Sequence, residues 1–130
     1  MATQAKVLEY AVSVDRAGRM TIPGGAQIQP GEGWSADHLL LAALVRCSID
    51  SLAYHARRAG SRLAAEGEAD GRVTKRESDG RYAFVDISVR IDAELSPRSE
   101  DVPALLMKAE RDCFIGASHS IKPDYEWNVA

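Results

Sequence analysis

An apolar segment early in the chain limits the possible folds more than any other feature. Leu39–Val45 is apolar on every side, and the apolar pattern then narrows to a stripe through Ile49 and Ala56. This pattern predicts one helix that opens at Ser35 and stops near Gly60, buried in its first half and amphipathic in its second. A helix of about 24 residues is roughly 36 Å long. In a chain of 130 residues, such a length predicts a central helix around which a sheet wraps.

Alternating apolar residues predict strands on both sides of this helix. Residues 6–14 and about 19–23 form a predicted N-terminal hairpin, and a short strand is expected around Gln27–Gln29. Residues 71–77 and 82–92 predict a second hairpin, and the alternation is clearest in its second strand. Strands joined by hairpins, not alternating with helices, indicate an α+β fold without a doubly wound parallel sheet.

A second helix and a last strand follow this hairpin. Ser99 is the expected helix cap, and the apolar face of the helix runs through Leu105 and Ala109 to Cys113. Asp124–Val129 is the expected last strand. The predicted order is therefore β-hairpin, long helix, β-hairpin, helix and strand, in a single domain over residues 1–130.

Charge and hydropathy exclude several functions. The net charge is −3, from 16 basic and 19 acidic residues, so the chain lacks the basic surface of a nucleic-acid binder. No apolar run approaches the ~20 residues that cross a bilayer, so we predict no membrane association. The first ten residues contain no apolar signal-peptide core, which predicts a cytoplasmic protein.

The two cysteines allow three interpretations. Cys47 and Cys113 are buried small hydrophobes, metal ligands or a redox pair, and burial is the default. None of His38, His55 and His119 lies three or four positions after a cysteine or another histidine, so no local zinc motif exists. His55 falls on the polar side of the long helix, where we expect it to be solvated.

A redox pair requires a thiolate, an activating cation and a resolving thiol. Arg46 precedes Cys47, but adjacent helix residues point about 100° apart, so Arg46 is not the obvious activator. Arg16 and Arg19, in or beside the first turn, are better candidates. Asp37 suits the positive end of the helix dipole, and its functional alternative is to fix an arginine that faces a cysteine.

The segments around both cysteines resemble the osmotically inducible protein C and organic hydroperoxide resistance family, OsmC/Ohr. Ser35–Cys47, reading SADHLLLAALVRC, is similar to the family's central-helix signature. Ala109–Ser118 is similar to its second-cysteine segment, and Pro123–Trp127 to its closing strand. The resemblance implies an α+β fold in which two chains intertwine as a homodimer, with active sites at the subunit interface.

The resemblance also implies roles for these residues. Cys47 would attack an organic hydroperoxide, and Cys113 would resolve the resulting sulfenic acid as a disulfide. An external dithiol would then reduce the disulfide, and no bound cofactor or metal is implied. Asp37 stands where the family usually has glutamate. The activating arginine would be Arg16, with Arg19 as the alternative.

The distance between Asp37 and Cys47 adds a constraint. Ten positions on one helix correspond to about 15 Å along its axis, too far for direct contact. Either the helix begins later, or an arginine spans part of the gap, or the acid comes from the partner subunit, and the interface location favours the last.

Two further functional hypotheses stay open from the sequence. One is an OsmC-like domain without peroxidase chemistry that binds a small hydrophobic ligand or serves as an interaction module. The other is a purely structural dimer in which both cysteines are buried.

Overall fold

The structure, a computed structural model, describes residues 5–130. The chain divides into two compact units, Met1–Ser35 and Ala36–Ala130. The first unit contains a small antiparallel sheet of three two-residue strands. These strands are β1 (Ser13–Val14), β2 (Met20–Thr21) and β3 (Gln27–Ile28). The single domain predicted over residues 1–130 stays a prediction.

The N-terminal hairpin is confirmed in place but is shorter than predicted. Of the strand expected over residues 6–14, only Ser13–Val14 forms, and residues 5–12 are exposed without strand structure. The Asp15 carboxylate closes the turn by accepting the backbone N–H groups of Ala17 and Arg19. Alternation alone does not make a strand, because the backbone also needs a partner for its hydrogen bonds, and residues 5–12 have no ladder within the described chain.

The second unit is an α+β layer structure, as the sequence predicts. Its sheet has the order β4-β5-β6, with β4 antiparallel and β6 parallel to the central strand. The elements are α1 (Ala36–Arg58), β4 (Arg62–Lys75), β5 (Tyr82–Ser96), α2 (Val102–Arg111), α3 (Phe114–Ala117) and β6 (Asp124–Val129). The long helix and the last strand match their predicted bounds closely.

Strand β4 begins nine residues before the predicted 71–77, at Arg62. Its first half consists mostly of small and charged residues, which have little intrinsic strand preference. Backbone pairing with β5 stabilises the strand there. Gly67 belongs to this half. A Cβ there would lie 2.8 Å from the carbonyl oxygen of Arg90 and 3.2 Å from the side chain of Val45. Glycine therefore lets α1 lie close against the hairpin.

The core of the second unit lies between α1, α2 and one face of β5. The predicted alternation along β5 is confirmed, because every second residue from Ile87 to Leu95 is buried. The buried apolar residues are Leu44, Leu52, Ala56, Ile87, Val89, Ile91, Ala93, Leu95, Leu105, Ala109 and Cys113.

Helix α1 qualifies the expectation about membranes. Among the described residues, this one helix is long and apolar enough, with a mean hydropathy of 1.3, to cross a bilayer by length and composition. The core helix of a soluble protein passes the same test, so the finding is weak evidence for a span. Here α1 packs against β4, β5 and α2.

The start of α2 corrects the predicted cap. Asp101, not Ser99, is the N-cap, and its carboxylate accepts the N–H of Ala104 at 3.1 Å. Ser99 lies two residues before Asp101, and its hydroxyl oxygen accepts the backbone N–H of Asp101. Pro103 explains the shift, because proline suits the first turn, where its missing N–H costs no helical hydrogen bond.

Candidate functional site

The two cysteines come together where α1 meets the segment between α2 and α3. Cys47 lies on α1 and is half-buried, whereas Cys113 is fully buried. The Cys113 thiol lies close enough to the Cys47 thiol to raise the pKa of Cys47. Both cysteines are free thiols in the structure. The pair that the sequence singled out is therefore a spatial pair.

Cys113 is buried as predicted, but it does not lie on the face of α2. Helix α2 ends at Arg111, and Cys113 is the N-cap of the short helix α3. Its sulfur accepts the backbone N–H of Gly116 at 3.4 Å. A Cβ on Gly116 would lie 3.5 Å from that sulfur, so the turn of α3 wraps tightly around the thiol. Cys113 falls at the position where the next apolar residue of α2 would be expected. However, α2 has ended by then, and the chain has turned into α3.

The surroundings of Cys47 oppose its ionisation. Burial is the main effect and raises the pKa of the Cys47 thiol above its ordinary value of 9.0. The backbone N–H of Ile115 and, more weakly, that of Phe114 act in the opposite direction. With these surroundings alone, the Cys47 thiol keeps its proton at neutral pH. A thiolate at neutral pH needs a positive charge from elsewhere.

Ser48 connects the buried cysteine to a tyrosine on β6, a contact that the sequence analysis missed. The Ser48 hydroxyl donates to the carbonyl oxygen of Leu44 at 2.8 Å. Its single proton is thereby used, so Ser48 Oγ accepts from the hydroxyl of Tyr125 at 3.1 Å. The same oxygen lies 3.7 Å from Cys113 Sγ. A polar residue one position after a cysteine, in an apolar helix stripe, is the signal that could have pointed to this contact.

Tyr125 is half-buried, and burial is the main effect that raises its pKa to about 12. Its phenol therefore keeps its proton at neutral pH. The ring stacks on Trp127 with centroids 5.5 Å apart, and the Trp127 indole donates to Glu110 at 2.9 Å. These three side chains and Gly116 help to line a groove of about 850 Å³ between α2, α3 and β6.

The prediction that His55 is solvated is wrong. The side chain of His55 is buried, and its Nε2 donates to Asp112 Oδ2 at 2.8 Å. The packing of the end of α2 onto α1 brings this carboxylate to the polar side of α1, which periodicity along one helix cannot reveal. Arg111 holds the same carboxylate, chiefly by hydrogen bonding, and with His55 lowers the pKa of Asp112 to about 2.

Asp37 lies far from Cys47 along α1. The helix begins at Ala36, so a later helix start does not explain the spacing. Ten residues of one continuous helix place the two side chains about 15 Å apart along the axis. Asp37 is exposed, and the structure does not bring it to the cysteine pair of its own chain. Its role stays a prediction.

The candidate arginines have different environments. Arg16 is exposed in the first unit, and Arg19 pairs with Asp15 at 3.4 Å. Arg46 is exposed and pairs with Asp50, four residues along α1, which agrees with its interpretation as a solvent-facing charge. Among the described residues, no cluster of three or more His, Cys, Asp or Glu side chains could hold a metal ion.

Comparison with known proteins identifies the family. The model of the family described as OsmC-like protein matches residues 29–128. The chain belongs to the OsmC-like family. No match is found among curated proteins.

Solved structures share the OsmC-like fold at low sequence identity. An OsmC-like protein of unknown function from Vibrio cholerae is 16% identical with a TM-score of 0.78, over 93% of this chain and 99% of that one. An OsmC-like protein from Mycoplasma pneumoniae is 14% identical with a TM-score of 0.70, over 98% and 99%. The organic hydroperoxide resistance protein OhrB of Bacillus subtilis is 20% identical with a TM-score of 0.56, over 94% and 96%.

Asp112 gives a pH-dependent prediction for the segment that carries Cys113. Its folded-state pKa of about 2 lies below the ordinary 3.8. The charged carboxylate therefore stabilises this OsmC-like fold above about pH 4, and the stabilisation disappears as the pH falls towards 2. We expect Asp112→Asn to lower the free energy of unfolding at pH 7, and the difference from the parent to shrink towards pH 2.

Urea unfolding at several pH values measures this difference. Asp50→Asn is the matched control, because its ion pair with Arg46 is exposed, and such pairs contribute little. An equal loss of stability from Asp112→Asn at pH 7 and at pH 2 would contradict the prediction.

Proposed function

We propose that this OsmC-like protein is a thiol-dependent peroxidase that reduces organic hydroperoxides to alcohols. The observation that carries the proposal is the pairing of a half-buried Cys47 with a fully buried Cys113. Several structures with this fold, including OhrB of Bacillus subtilis, are named organic hydroperoxide resistance proteins. At 14–20% identity this likeness concerns the fold, and the cysteine pair supplies the chemical argument.

The proposed reaction has three steps. The Cys47 thiolate attacks the terminal peroxide oxygen, the O–O bond breaks, and the alkoxide leaves and takes a proton to become the alcohol. Cys47 is now a sulfenic acid, which condenses with the Cys113 thiol to form a disulfide and water. An external dithiol reduces the disulfide by exchange, so the protein needs no bound cofactor.

The first step needs a cation, because burial raises the pKa of Cys47. We assign this role to Arg16, with Arg19 as the alternative, and both belong to the first unit. Arg16 is preferred because Arg19 is already paired with Asp15. Asp37 would orient that arginine. The spacing along α1 favours an Asp37 supplied by a second copy of the chain.

The substrate is proposed to be an alkyl hydroperoxide. Cys47 is one of the partly buried side chains that pack against the apolar core of the second unit. An apolar neighbourhood rewards burial of an alkyl tail, whereas hydrogen peroxide gains nothing from it. Equal rates with hydrogen peroxide and an alkyl hydroperoxide would count against this selectivity.

We propose that the protein acts as a homodimer. Val7, Tyr10 and Val12 are 82%, 84% and 65% exposed, and Leu8, Val14 and Ile28 are more than half exposed. So much exposed apolar surface is unusual for a monomer, and a second copy would cover it. Light scattering should give twice the chain mass of 14.1 kDa, and a fully active monomer would refute the dimer.

The proposed setting follows from the same chemistry. A dithiol reductant and a reversible disulfide suit a reducing cytoplasm, where such bonds are transient and catalytic. No nucleic-acid or membrane partner is part of the proposal.

One observation favours a second candidate function. Burial holds the pKa of Cys47 up, and a neutral thiol is a poor nucleophile. A domain that binds a small hydrophobic ligand beside Cys47 without reducing peroxides fits this observation. A thiol pKa that stays high in the intact protein, together with no peroxide consumption, would decide for the binding module.

Cysteine variants test the peroxidase directly. With cumene hydroperoxide and dithiothreitol, we expect peroxide loss in the parent protein and none above background in Cys47→Ser. Cys113→Ser should accumulate a sulfenic acid on Cys47, trapped by dimedone and detected by mass spectrometry, because no second thiol condenses with it. No peroxide loss in the parent protein would refute the proposed function.

Arginine variants test the activation of Cys47. In a Cys113→Ser background, Arg16→Gln should raise the pKa of Cys47, measured by the pH dependence of its alkylation, because a positive charge favours the thiolate. Arg46→Gln is the matched control, since its exposed ion pair with Asp50 involves no cysteine. An unchanged pKa in Arg16→Gln with a raised one in Arg19→Gln would transfer the role, and no change in either would exclude both.

A further inference from the structure

We propose that Ser48 and Tyr125 form a hydroxyl relay that carries the proton of the buried Cys113 thiol to the groove between α2, α3 and β6. This inference rests on the proposed function, and it assigns two catalytic residues to its second step. Ser48 touches the reacting sulfur, and Tyr125 continues the path towards solvent.

The need for a relay comes from burial. Cys113 is 0% exposed, so water does not reach its sulfur. A thiol attacks a sulfenic or disulfide sulfur as the thiolate, so the Cys113 proton must leave before or during the attack. A buried group that must give up a proton needs a hydrogen-bonding neighbour to take it.

Among the described residues, the Gly116 backbone N–H and the Ser48 hydroxyl lie against Cys113 Sγ. The Tyr125 hydroxyl also interacts with the Cys113 thiol, so Ser48 and Tyr125 both lie beside it. The backbone N–H of Gly116 donates to the sulfur at 3.4 Å, so it stabilises a thiolate but cannot accept a proton. The Ser48 hydroxyl oxygen, at 3.7 Å, can accept one. Ser48 is itself 0% exposed, so the proton cannot stop there.

Tyr125 completes the path. Its hydroxyl lies 3.1 Å from Ser48 Oγ, and its side chain lines the groove. In the resting state the Ser48 proton points to Leu44, and rotation about the C–O bond turns it towards Tyr125 without moving a heavy atom. Gly116 leaves room for the tyrosine hydroxyl, because a Cβ at that position would lie only 3.2 Å from it.

Three proton transfers accompany the formation of the disulfide. The Cys113 proton passes to Ser48 Oγ, the Ser48 proton to the Tyr125 oxygen, and the Tyr125 proton to water in the groove. The Cys113 thiolate attacks the Cys47 sulfenic sulfur, the S–S bond forms, and the S–O bond breaks. The hydroxide that leaves combines with the proton that the relay released to the groove water, so a sulfenic acid and a thiol give a disulfide and water. The organic hydroperoxide has already supplied the oxidation.

Rapid mixing separates the two steps. Reduced protein mixed with cumene hydroperoxide should give a fluorescence phase that depends on peroxide concentration, followed by one that does not, and Trp127 stacked on Tyr125 is the reporter. Tyr125→Phe and Ser48→Ala should slow the second phase at least tenfold, a conservative share of the roughly 10²-fold or greater effect of positioned proton transfer. The first phase should be unchanged in Tyr125→Phe.

Two matched controls remove hydroxyls that lie outside the relay. Ser51→Ala deletes a serine of the same helix whose hydroxyl donates to the carbonyl of Ala109. Tyr54→Phe deletes an exposed phenol that accepts from Arg58. Both variants should keep both phases. If the controls slow the second phase as much as Tyr125→Phe does, the relay is wrong.

A second route to the same disulfide separates this proposal from the proposed function. Oxidised dithiothreitol forms a mixed disulfide with Cys47, and Cys113 must again lose its proton to displace it. If peroxide does not react but Tyr125→Phe slows this exchange, the relay stands and the peroxidase fails. If Tyr125→Phe carries out both this exchange and the peroxide-independent phase at the parent rate, the relay is overturned.

Equilibrium measurements exclude a merely structural role. A relay speeds the formation and the opening of the disulfide equally, so Tyr125→Phe should leave the equilibrium constant with dithiothreitol unchanged. If Tyr125 instead holds the thiols in position, the equilibrium constant should fall in proportion to the rate. That result would overturn the relay.

Discussion

One buried stripe along α1 controls the geometry of the candidate site. Leu44, Ser48, Leu52 and Ala56 recur every four residues, and all are 0% exposed. Cys47 precedes Ser48 by one position, so its side chain points about 100° away from that of Ser48. This rotation places the Cys47 thiol at the margin of the core. The packing that holds Ser48 against Cys113 therefore leaves the neighbouring thiol half-accessible.

The different burial of the two thiols matches a division of labour. A thiol that meets a peroxide must be reachable, and Cys47 is partly exposed, whereas the resolving thiol benefits from protection against direct oxidation. Cys113 has that protection because α3 turns around it immediately after α2 ends. The partial burial of Cys47 raises the pKa of its own thiol, so the second unit by itself favours the neutral thiol. The proposed chemistry thus requires a positive charge from outside these contacts.

Much of the fold could be predicted because its strongest elements carry their own pattern. Helix α1 has an apolar stripe, and β5 alternates in residue type along its length, so both are visible in the sequence alone. The first half of β4 could not be predicted, because small and charged residues form a strand there only through pairing with β5. Residues 6–14 show the converse, since alternation without a ladder partner gives strand structure only at Ser13–Val14.

The candidate site could be predicted only in part, for the same reason. The sequence indicated both cysteines, but it placed Cys113 on α2, because apolar spacing does not reveal that a helix has ended. His55 was misassigned, because its partner Asp112 lies 57 residues away in sequence. Ser48 and Tyr125 were overlooked, because each is unremarkable until β6 brings the tyrosine to α1. Contacts between elements, unlike periodicity within them, carry the chemistry of this site.

Ser48 is the least expected residue of the stripe on energetic grounds. A buried hydroxyl without a partner costs about 1–3 kcal/mol, whereas an alanine there would need no partner. Hydrogen bonds to Leu44 and Tyr125 satisfy this hydroxyl, but they only recover what its burial costs. Stability alone therefore gives little reason for a serine at this position. A hydroxyl that both accepts and donates a proton beside a buried thiol provides such a reason.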